Sequence, residues 1–457
     1  MKRENAKIAF VTTIPMTQWT FLRGQNAYMR ERGFELHAIS SPGPYLDQLV
    51  HRDRVAAHPV TISRKIAPVS DLVTLFRLII VLRRIRPSIV HLSTSKGALL
   101  GAIAAWITGV PIRIFLVRTL FTENVRGFWR FPLRWLERLT VRLCHMSICV
   151  APSQLDFARA EGILGREQGI VPAHGMSNGI DSERFDPAVV EAADLATWRP
   201  GLTGSIGTTV IGFVGRLARD KGIEDLFDAW QEVRSESPDA VLLLVGPWEE
   251  EDEVSQAVRL GLESDPRVVL VGNHNDVTQF YKRISIFVYP SHGTEGFPNA
   301  PMEAAAMALP VIASRVVGCV DAVVDGVTGT LVPPRDPRAL AAAIRRYLKD
   351  PELRGEHGRA GRERVVRDFR QEPIWEALYQ VYLQALKKGG RRGAELAPEG
   401  GVRALGRGSR TMCRDPSPQA APIRVEVANK VGSMLGRSFL RTWLHDVVRR
   451  VAALRSG

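Results

Sequence analysis

The sequence predicts an α/β protein built from two doubly wound, Rossmann-like parallel sheets that face each other across a cleft. Three observations carry this. Short β-branched runs alternate with helical stretches from residue 7 to residue 161; the alternation lapses over a polar, loosely patterned stretch at 186–207; it then restarts at residue 209 and runs on to residue 368. Strand–helix alternation calls for parallel pairing through crossover helices, and two such runs call for two sheets. At 457 residues the chain is also longer than one hydrophobic core usually supports.

In the first half, residues 7–13 read as a strand, 21–32 as a helix closed by Gly33, and 35–40 as a second strand ending at Ser41-Pro42-Gly43. Residues 71–86 are helical, with Leu75, Leu78, Ile79 and Leu82 beside Arg77, Arg83, Arg84 and Arg86, and Pro87 stops them. A short strand at 89–92, a small-residue helix at 96–108 and a strand at 112–117 follow. The helix at 127–145 interleaves Trp129, Phe131, Trp135 and Leu136 with Arg130, Arg134, Arg138 and Arg142. That pattern suits a core helix with a solvated basic face, and it equally suits a helix lying in an anionic membrane interface. A strand at 147–151 and a Ser-capped helix at 153–161 lead to the turn Asn178-Gly179-Ile180-Asp181.

The second half repeats the rhythm, with strands at 209–215, 240–246, 268–271, 284–289, 311–314 and 330–332 separated by helices. Helices at 337–348, 351–368 and 374–387 end it. From residue 389, Gly, Arg, Pro and Ser dominate to about residue 423, as in a linker that cannot bury a core. Residues 425–454 regain helical periodicity with Arg on the polar face, which fits either an amphipathic anchor or a helix that forms on a partner. The expected map is therefore 1–185 for a first Rossmann-like domain, 186–370 for a second, 371–388 for a last helix and 389–457 for a basic tail.

The charge of +13 resembles a nucleic-acid signature until it is located. From Lys387 onward there are fifteen Lys/Arg against five Asp/Glu, so the body carries little excess and no nucleic-acid partner is expected. The four cysteines lack paired spacing, which argues against a disulfide framework or a zinc site and fits a reducing cytosol. Residues 8–11 are too short for a signal peptide, and 97–111 is shorter than a bilayer span. The expected location is cytoplasmic, with peripheral contact to an anionic membrane through the 71–86 helix, the 127–145 helix or the tail.

Chemistry concentrates at two places. In Glu295-Gly296-Phe297-Pro298-Asn299-Ala300-Pro301-Met302-Glu303, two carboxylates lie eight positions apart across a turn that opens a helix, with Asn299 as the expected N-cap and Glu303 in the expected first turn. Helix N-termini at the carboxyl end of a parallel strand bind anions. In Gly215-Arg216-Leu217 with Lys221-Gly222, a glycine lets a ligand approach the backbone, and Arg with Lys five positions on can grip a diphosphate. Both stretches fall on the same sheet edge.

With these motifs, and with Gly326, Gly329 and Asn178-Gly179-Ile180-Asp181, residues 5–388 resemble glycosyltransferase family 4, the retaining GT-B enzymes, in the branch that builds bacterial polysaccharides and lipid-linked oligosaccharides. The resemblance implies transfer of a hexose or N-acetylhexosamine from a nucleotide-diphosphate sugar, as co-substrate, to a glycan or lipid-linked acceptor, with an α linkage and no metal or other cofactor. It implies that Arg216 and Lys221 hold the diphosphate, Glu295 meets the transferred sugar, and Glu303 bonds the ribose. Gly215, Phe297, Pro298 and Asn299 would line the donor, with Asn273 beside the base. It also implies that the last helix crosses back onto the first domain. Two departures fall in the first half: Thr13-Ile14-Pro15-Met16 replaces the family's Gly-Gly, and Arg118-Thr119 replaces its His-Gly. Arg118, with Lys96 and Glu123 on the same edge, is a candidate for the acceptor side. A GT-B nucleotide-sugar epimerase and a non-catalytic GT-B binding protein remain the alternatives at this stage.

Overall fold

The computed structural model describes residues 6–389, apart from 65–66, 121, 123–124, 126, 129, 167, 200–207 and 294. The first sheet comprises β1 (Ala6–Val11), β2 (Phe34–Ser40), β3 (Ala56–Pro59), β4 (Ile89–Leu92), β5 (Ile112–Val117) and β6 (Met146–Cys149), parallel in the order β3-β2-β1-β4-β5-β6. The second comprises β7 (Thr209–Val214), β8 (Ala240–Val245), β9 (Val268–Gly272), β10 (Ile286–Tyr289), β11 (Val311–Ser314) and β12 (Gly329–Val332), parallel in the order β12-β11-β10-β7-β8-β9. Both sheets therefore wind the same way, and each reverses its order once, at β1/β4 and at β7/β10. At such a reversal neighbouring loops leave in opposite directions and open a crevice at the carboxyl edge.

Alternation along the strands explains the layers. Ile8 and Phe10 of β1 face a core shared with α1 (Pro15–Phe21), α2 (Gln25–Glu31) and α3 (Pro44–Asp53), while Ala9 and Val11 face the core beneath α4 (Pro68–Ile85), α5 (Ser95–Ile107) and α6 (Arg130–Leu143). α7 (Pro152–Ala160) follows β6. Around the second sheet lie α8 (Ile223–Glu236), α9 (Gln256–Ser264), α10 (Thr278–Arg283), α11 (Asn299–Ala306), α12 (Cys319–Ala322), α13 (Pro337–Lys349), α14 (Pro351–Asp368) and finally α15 (Gln371–Lys387). Local chemistry starts the α13 and α14 helices: Asp336 accepts from the Ala339 N–H and Asp350 from the Leu353 N–H, both at 2.9 Å, each just before a proline.

Several sequence expectations change. The helix expected at 21–32 begins only at Gln25, after Gly24 with φ 78°, where a side chain would overlap the Trp375 ring, and the unexpected α1 precedes it. α3 and the edge strand β3 were not expected. β3 is four residues, Ala-Ala-His-Pro, too short and too polar to show a period. The stretch expected as a connection after residue 186 packs on the second domain: Phe185 meets Tyr281, Trp198 meets Phe280, and the Ala193 N–H bonds the Gln279 carbonyl. By packing, the second domain begins near residue 181. The tail expectations, including the helix at 425–454, lie outside the described residues.

The two strands of chain that cross between domains run side by side. The Ile180 N–H bonds the Phe369 carbonyl at 2.8 Å, and Trp375 Nε1 donates to the Asn178 carbonyl and to its Oδ1 at 2.8 Å. From there α15 lies on the first domain, as the resemblance implied. Tyr382 is fully buried there with its hydroxyl 2.5 Å from His91 Nδ1, and Tyr28 bonds Glu376. Asn178-Gly179-Ile180 thus forms part of the crossing between the domains.

Candidate active site

The β7/β10 reversal gathers the motif residues. Gly215 follows β7 with φ 153°, and a Cβ on Gly246 would overlap its carbonyl, so the ends of β7 and β8 touch backbone to backbone. Arg216 leaves this turn half-exposed, paired with Glu249 and lying 3.7 Å from Asp220. Burial works against its charge, but the bond to Glu249 and the field of Asp220 raise its pKa above the ordinary value.

Lys221 is mostly buried and turns its Nζ to Glu295 Oε1 at 2.6 Å, with Asp220 at 3.4 Å. Burial pulls the ammonium down, yet Glu295 and Asp220 outweigh it and hold the pKa above its usual value. The same Glu295 oxygen accepts from Ser291 Oγ at 2.7 Å and from the Tyr289 hydroxyl at 3.2 Å. Oε1 is thereby fully engaged, and Oε2 has no protein partner among the described residues. Burial and the neighbouring Glu295 carboxylate push the Tyr289 hydroxyl well above the tyrosine range, so it remains a donor.

Glu303 behaves differently. The structure puts the N-cap of α11 at Pro298, with Asn299 opening the helix, so Glu303 lies in the second turn and not in the first. The shift comes from Pro298, whose extended φ/ψ already serves as the cap. Glu303 Oε2 accepts from the Tyr281 hydroxyl at 2.9 Å, and burial raises its pKa against the opposing pull of Tyr281 and Arg184. Phe297 does not present its ring to the cleft: it is buried against Phe369 and beside Gly175. Asn273 follows β9 at the sheet edge and is exposed, while its neighbour His274 packs against Trp198 and Phe280.

The first domain touches this site directly. A Cβ on Gly296 would overlap the Arg118 carbonyl oxygen, so only glycine admits this approach one residue from Glu295. Nearby, Ser153 at the start of α7 bonds Asp321 and accepts from the Gly318 N–H at 2.9 Å. Across the mouth, Arg64 reaches Glu251 at 3.1 Å. Of the acceptor-side candidates, Arg118 lies at this junction. Lys96 is instead tied to Asp71 at 2.6 Å within the first domain, and Glu123 lies outside the described residues. Tyr289, Ser291, Asp220, Glu249, Tyr281 and Arg184 were missed by the sequence reading. Only Ser291, in the loop before Glu295, carried a signal, since the others come from positions that read as strand, helix or rim. Among the described residues no cluster of three or more metal-ligating side chains occurs.

Twin sheets of identical winding, a helix that crosses back, and cations gathered with carboxylates at one reversal define a glycosyltransferase of the GT-B class. The family described as Glycosyl transferases group 1 matches residues 208–350, and the Glycosyl transferase 4-like domain matches residues 17–174. The capsular polysaccharide biosynthesis glycosyltransferase CapM of Staphylococcus aureus is 35% identical over 386 residues, covering 84% of this chain and 99% of that protein. An Escherichia coli UDP-Gal:alpha-D-GlcNAc-diphosphoundecaprenol alpha-1,3-galactosyltransferase is 28% identical, covering 70% and 81%. Anabaena Alr3699/HepE, solved in complex with UDP, shares the fold at a TM-score of 0.67 and 20% identity, covering 83% of this chain and 99% of that one. The chain belongs to glycosyltransferase family 4.

Proposed function

We propose that the enzyme moves a hexose or N-acetylhexosamine from a nucleotide-diphosphate sugar to a glycan or lipid-linked acceptor, retaining the anomeric configuration and forming an α linkage in cell-surface polysaccharide biosynthesis. The observation that supports it is the cluster at the β7/β10 reversal, where Arg216 and Lys221 stand beside the Glu295 carboxylate at the mouth of α11. In this reading the two cations take up the charge of the departing diphosphate, so no metal is needed, and the backbone N–H groups of Phe297 and Asn299 assist. Glu295 stabilises positive charge as it develops on the sugar through Oε2, and Glu303 bonds the ribose hydroxyls. The Escherichia coli relative, with its UDP-Gal donor and alpha-1,3 linkage, supports UDP as the nucleotide and an α product.

The acceptor reading draws on the outer face of the first domain. α5 packs between α4 and α6; α4 exposes Val69, Val73, Phe76 and Ile80 on one side, and α6 with the turn before it exposes Phe131, Trp135 and Phe128 on the other. Arg77, Arg83, Arg84, Arg138 and Arg142 are exposed among them. Apolar side chains ringed by arginine suit the inner, anionic face of the cytoplasmic membrane, where a lipid-linked acceptor sits. No helix among the described residues is long and apolar enough to cross a membrane. The deciding experiment supplies UDP-sugars with an undecaprenyl-diphosphate-linked sugar and follows UDP release and the anomeric proton of the product by NMR. A β-linked product would refute retention, and interconversion of UDP-sugars without acceptor would point to an epimerase.

A further inference from the structure

The two glutamates of the 295–303 stretch meet one buried aromatic column. Tyr281 of α10 lies against Phe287 of β10 with ring centroids 5.6 Å apart, Phe287 against Tyr289 at 6.5 Å, and Phe213 of β7 stacks on Tyr289 at 6.0 Å. Each tyrosine donates its hydroxyl to a different carboxylate: Tyr289 to Glu295 Oε1 at 3.2 Å, and Tyr281 to Glu303 Oε2 at 2.9 Å. Glu295 Oε1 also accepts from Lys221 and Ser291, whereas Tyr281 is the one side-chain donor to Glu303 among the described residues.

Tyr281 is fully buried, with its ring edge-on to Phe185 at 5.8 Å. A phenylalanine would fill that space as well and would need no partner. The hydroxyl therefore adds a buried polar group whose cost is offset only by the bonds it makes. Those bonds go to Glu303 Oε2 and, at 3.2 Å, to the Ala300 carbonyl in the first turn of α11, so one hydroxyl ties the carboxylate to the turn that opens the helix. Burial, reinforced by the Glu303 charge, lifts the Tyr281 pKa well above the tyrosine range, and the hydroxyl keeps its proton to donate.

Glu303 gains in two ways. A glutamate that binds a ligand gives up rotamer freedom, and a bond already made to Oε2 lowers that cost while leaving Oε1 without a protein partner among the described residues. The same bond favours the ionised carboxylate against the burial that pushes its pKa up. Arg184 helps only through its field, since its own guanidinium bonds Asp276 at 3.0 Å.

We propose that Tyr281 is a positioning residue for the transfer reaction: by donating to Glu303 Oε2 it presets that carboxylate to accept the ribose hydroxyls of the nucleotide donor. The proposal rests on the transferase reading, in which Glu303 bonds the ribose, and in it Tyr281 acts only through Glu303.

The test compares full-length wild type, Tyr281→Phe, Glu303→Ala and the double variant. Calorimetry uses UDP and its dideoxyribose analogue, and kinetics follow UDP release with UDP-sugars and the undecaprenyl-diphosphate-linked acceptor. Tyr281→Phe keeps the ring packed on Phe185 and Phe287 and so keeps the fold. It should weaken UDP binding and raise KM by roughly three- to tenfold with kcat little changed. The analogue, which has no ribose hydroxyls for Glu303, should bind wild type and Tyr281→Phe alike. In the Glu303→Ala background Tyr281→Phe should add nothing. A merely structural tyrosine would weaken both ligands equally and its effect would add to that of Glu303→Ala; either result overturns the proposal alone, as does a fall in kcat with KM unchanged. Wild-type protein that fails to bind UDP overturns the transferase reading and the proposal with it, and wild type that binds UDP no tighter than the analogue overturns the ribose role of Glu303 on which the proposal stands.

Discussion

Glu295→Gln separates the two tasks assigned to the Lys221–Glu295 pair. The substitution keeps the size of the side chain and an oxygen for the Ser291 and Tyr289 hydroxyls, which now donate at 2.7 and 3.2 Å. It removes the negative charge 2.6 Å from Lys221, leaving that ammonium Asp220 at 3.4 Å and free to turn to the donor diphosphate. UDP affinity is therefore expected to hold or to rise a few-fold. Turnover should fall, because the charge that meets the developing positive charge on the sugar is gone. Glu295 is 13% exposed in its side chain, so water does not screen the loss. A charge-assisted contact of about 1.5–3 kcal/mol corresponds to a roughly ten- to hundredfold fall in kcat. Glu303→Gln is the counterpart, with an expected rise in KM of similar size and a smaller effect on kcat. Calorimetry with UDP and steady-state kinetics by UDP release measure both. If Glu295→Gln abolished UDP binding while Glu303→Gln left it intact, the roles are reversed; if neither changed transfer, the β7/β10 reversal is not the active site.

Three further outcomes follow from the structure. His91 is held neutral in the fold, so between its ordinary pKa of 6.5 and about 3 the unfolded chain binds a proton that the folded chain refuses, and stability falls as pH drops through that window. Its share of the loss is roughly 2 kcal/mol by pH 5, and His91→Gln should narrow the gap between Tm at pH 7.5 and at pH 5; an unchanged gap would contradict the burial of His91 beside Arg118 and Tyr382. Replacing Phe131 and Trp135 with Ser should weaken flotation with anionic vesicles by about tenfold or more and leave UDP binding alone; wild-type protein that fails to float at low salt removes the membrane reading. Truncation after Lys388 should leave Tm and UDP binding unchanged, because the composition beyond it cannot bury enough apolar surface to support the body, and an insoluble product would show that the tail is integral.

Much of the fold was legible because periodicity depends on local chemistry. The six strands of the second sheet, the stop at Pro87 and the proline starts of α13 and α14 all follow from residues a few positions apart. Where tertiary contacts set the outcome, the reading slipped. The start of α2 is fixed at Gly24, where Trp375, 351 positions later, leaves no room for a side chain. Asn178-Gly179-Ile180-Asp181 reads as a simple turn, whereas in the fold it is a crossing between the domains held by Trp375 and Phe369.

The same division runs through the candidate site. Residue types and spacing alone determined that Arg216, Lys221, Glu295 and Glu303 lie on loops at one sheet edge, since each follows a recognisable strand. Which of them pair was beyond the sequence: Lys221 and Glu295 are 74 positions apart, and the ion pair exists because β7 and β10 are neighbours at the reversal of the sheet. The buried atoms Arg118 Nε, His91 Nε2 and Ser93 Oγ, unpartnered among the described residues, were likewise invisible. Whether a buried polar atom has a partner depends on groups brought together from β1, β4, β5 and the crossing between the domains, and only the packed fold fixes which groups those are.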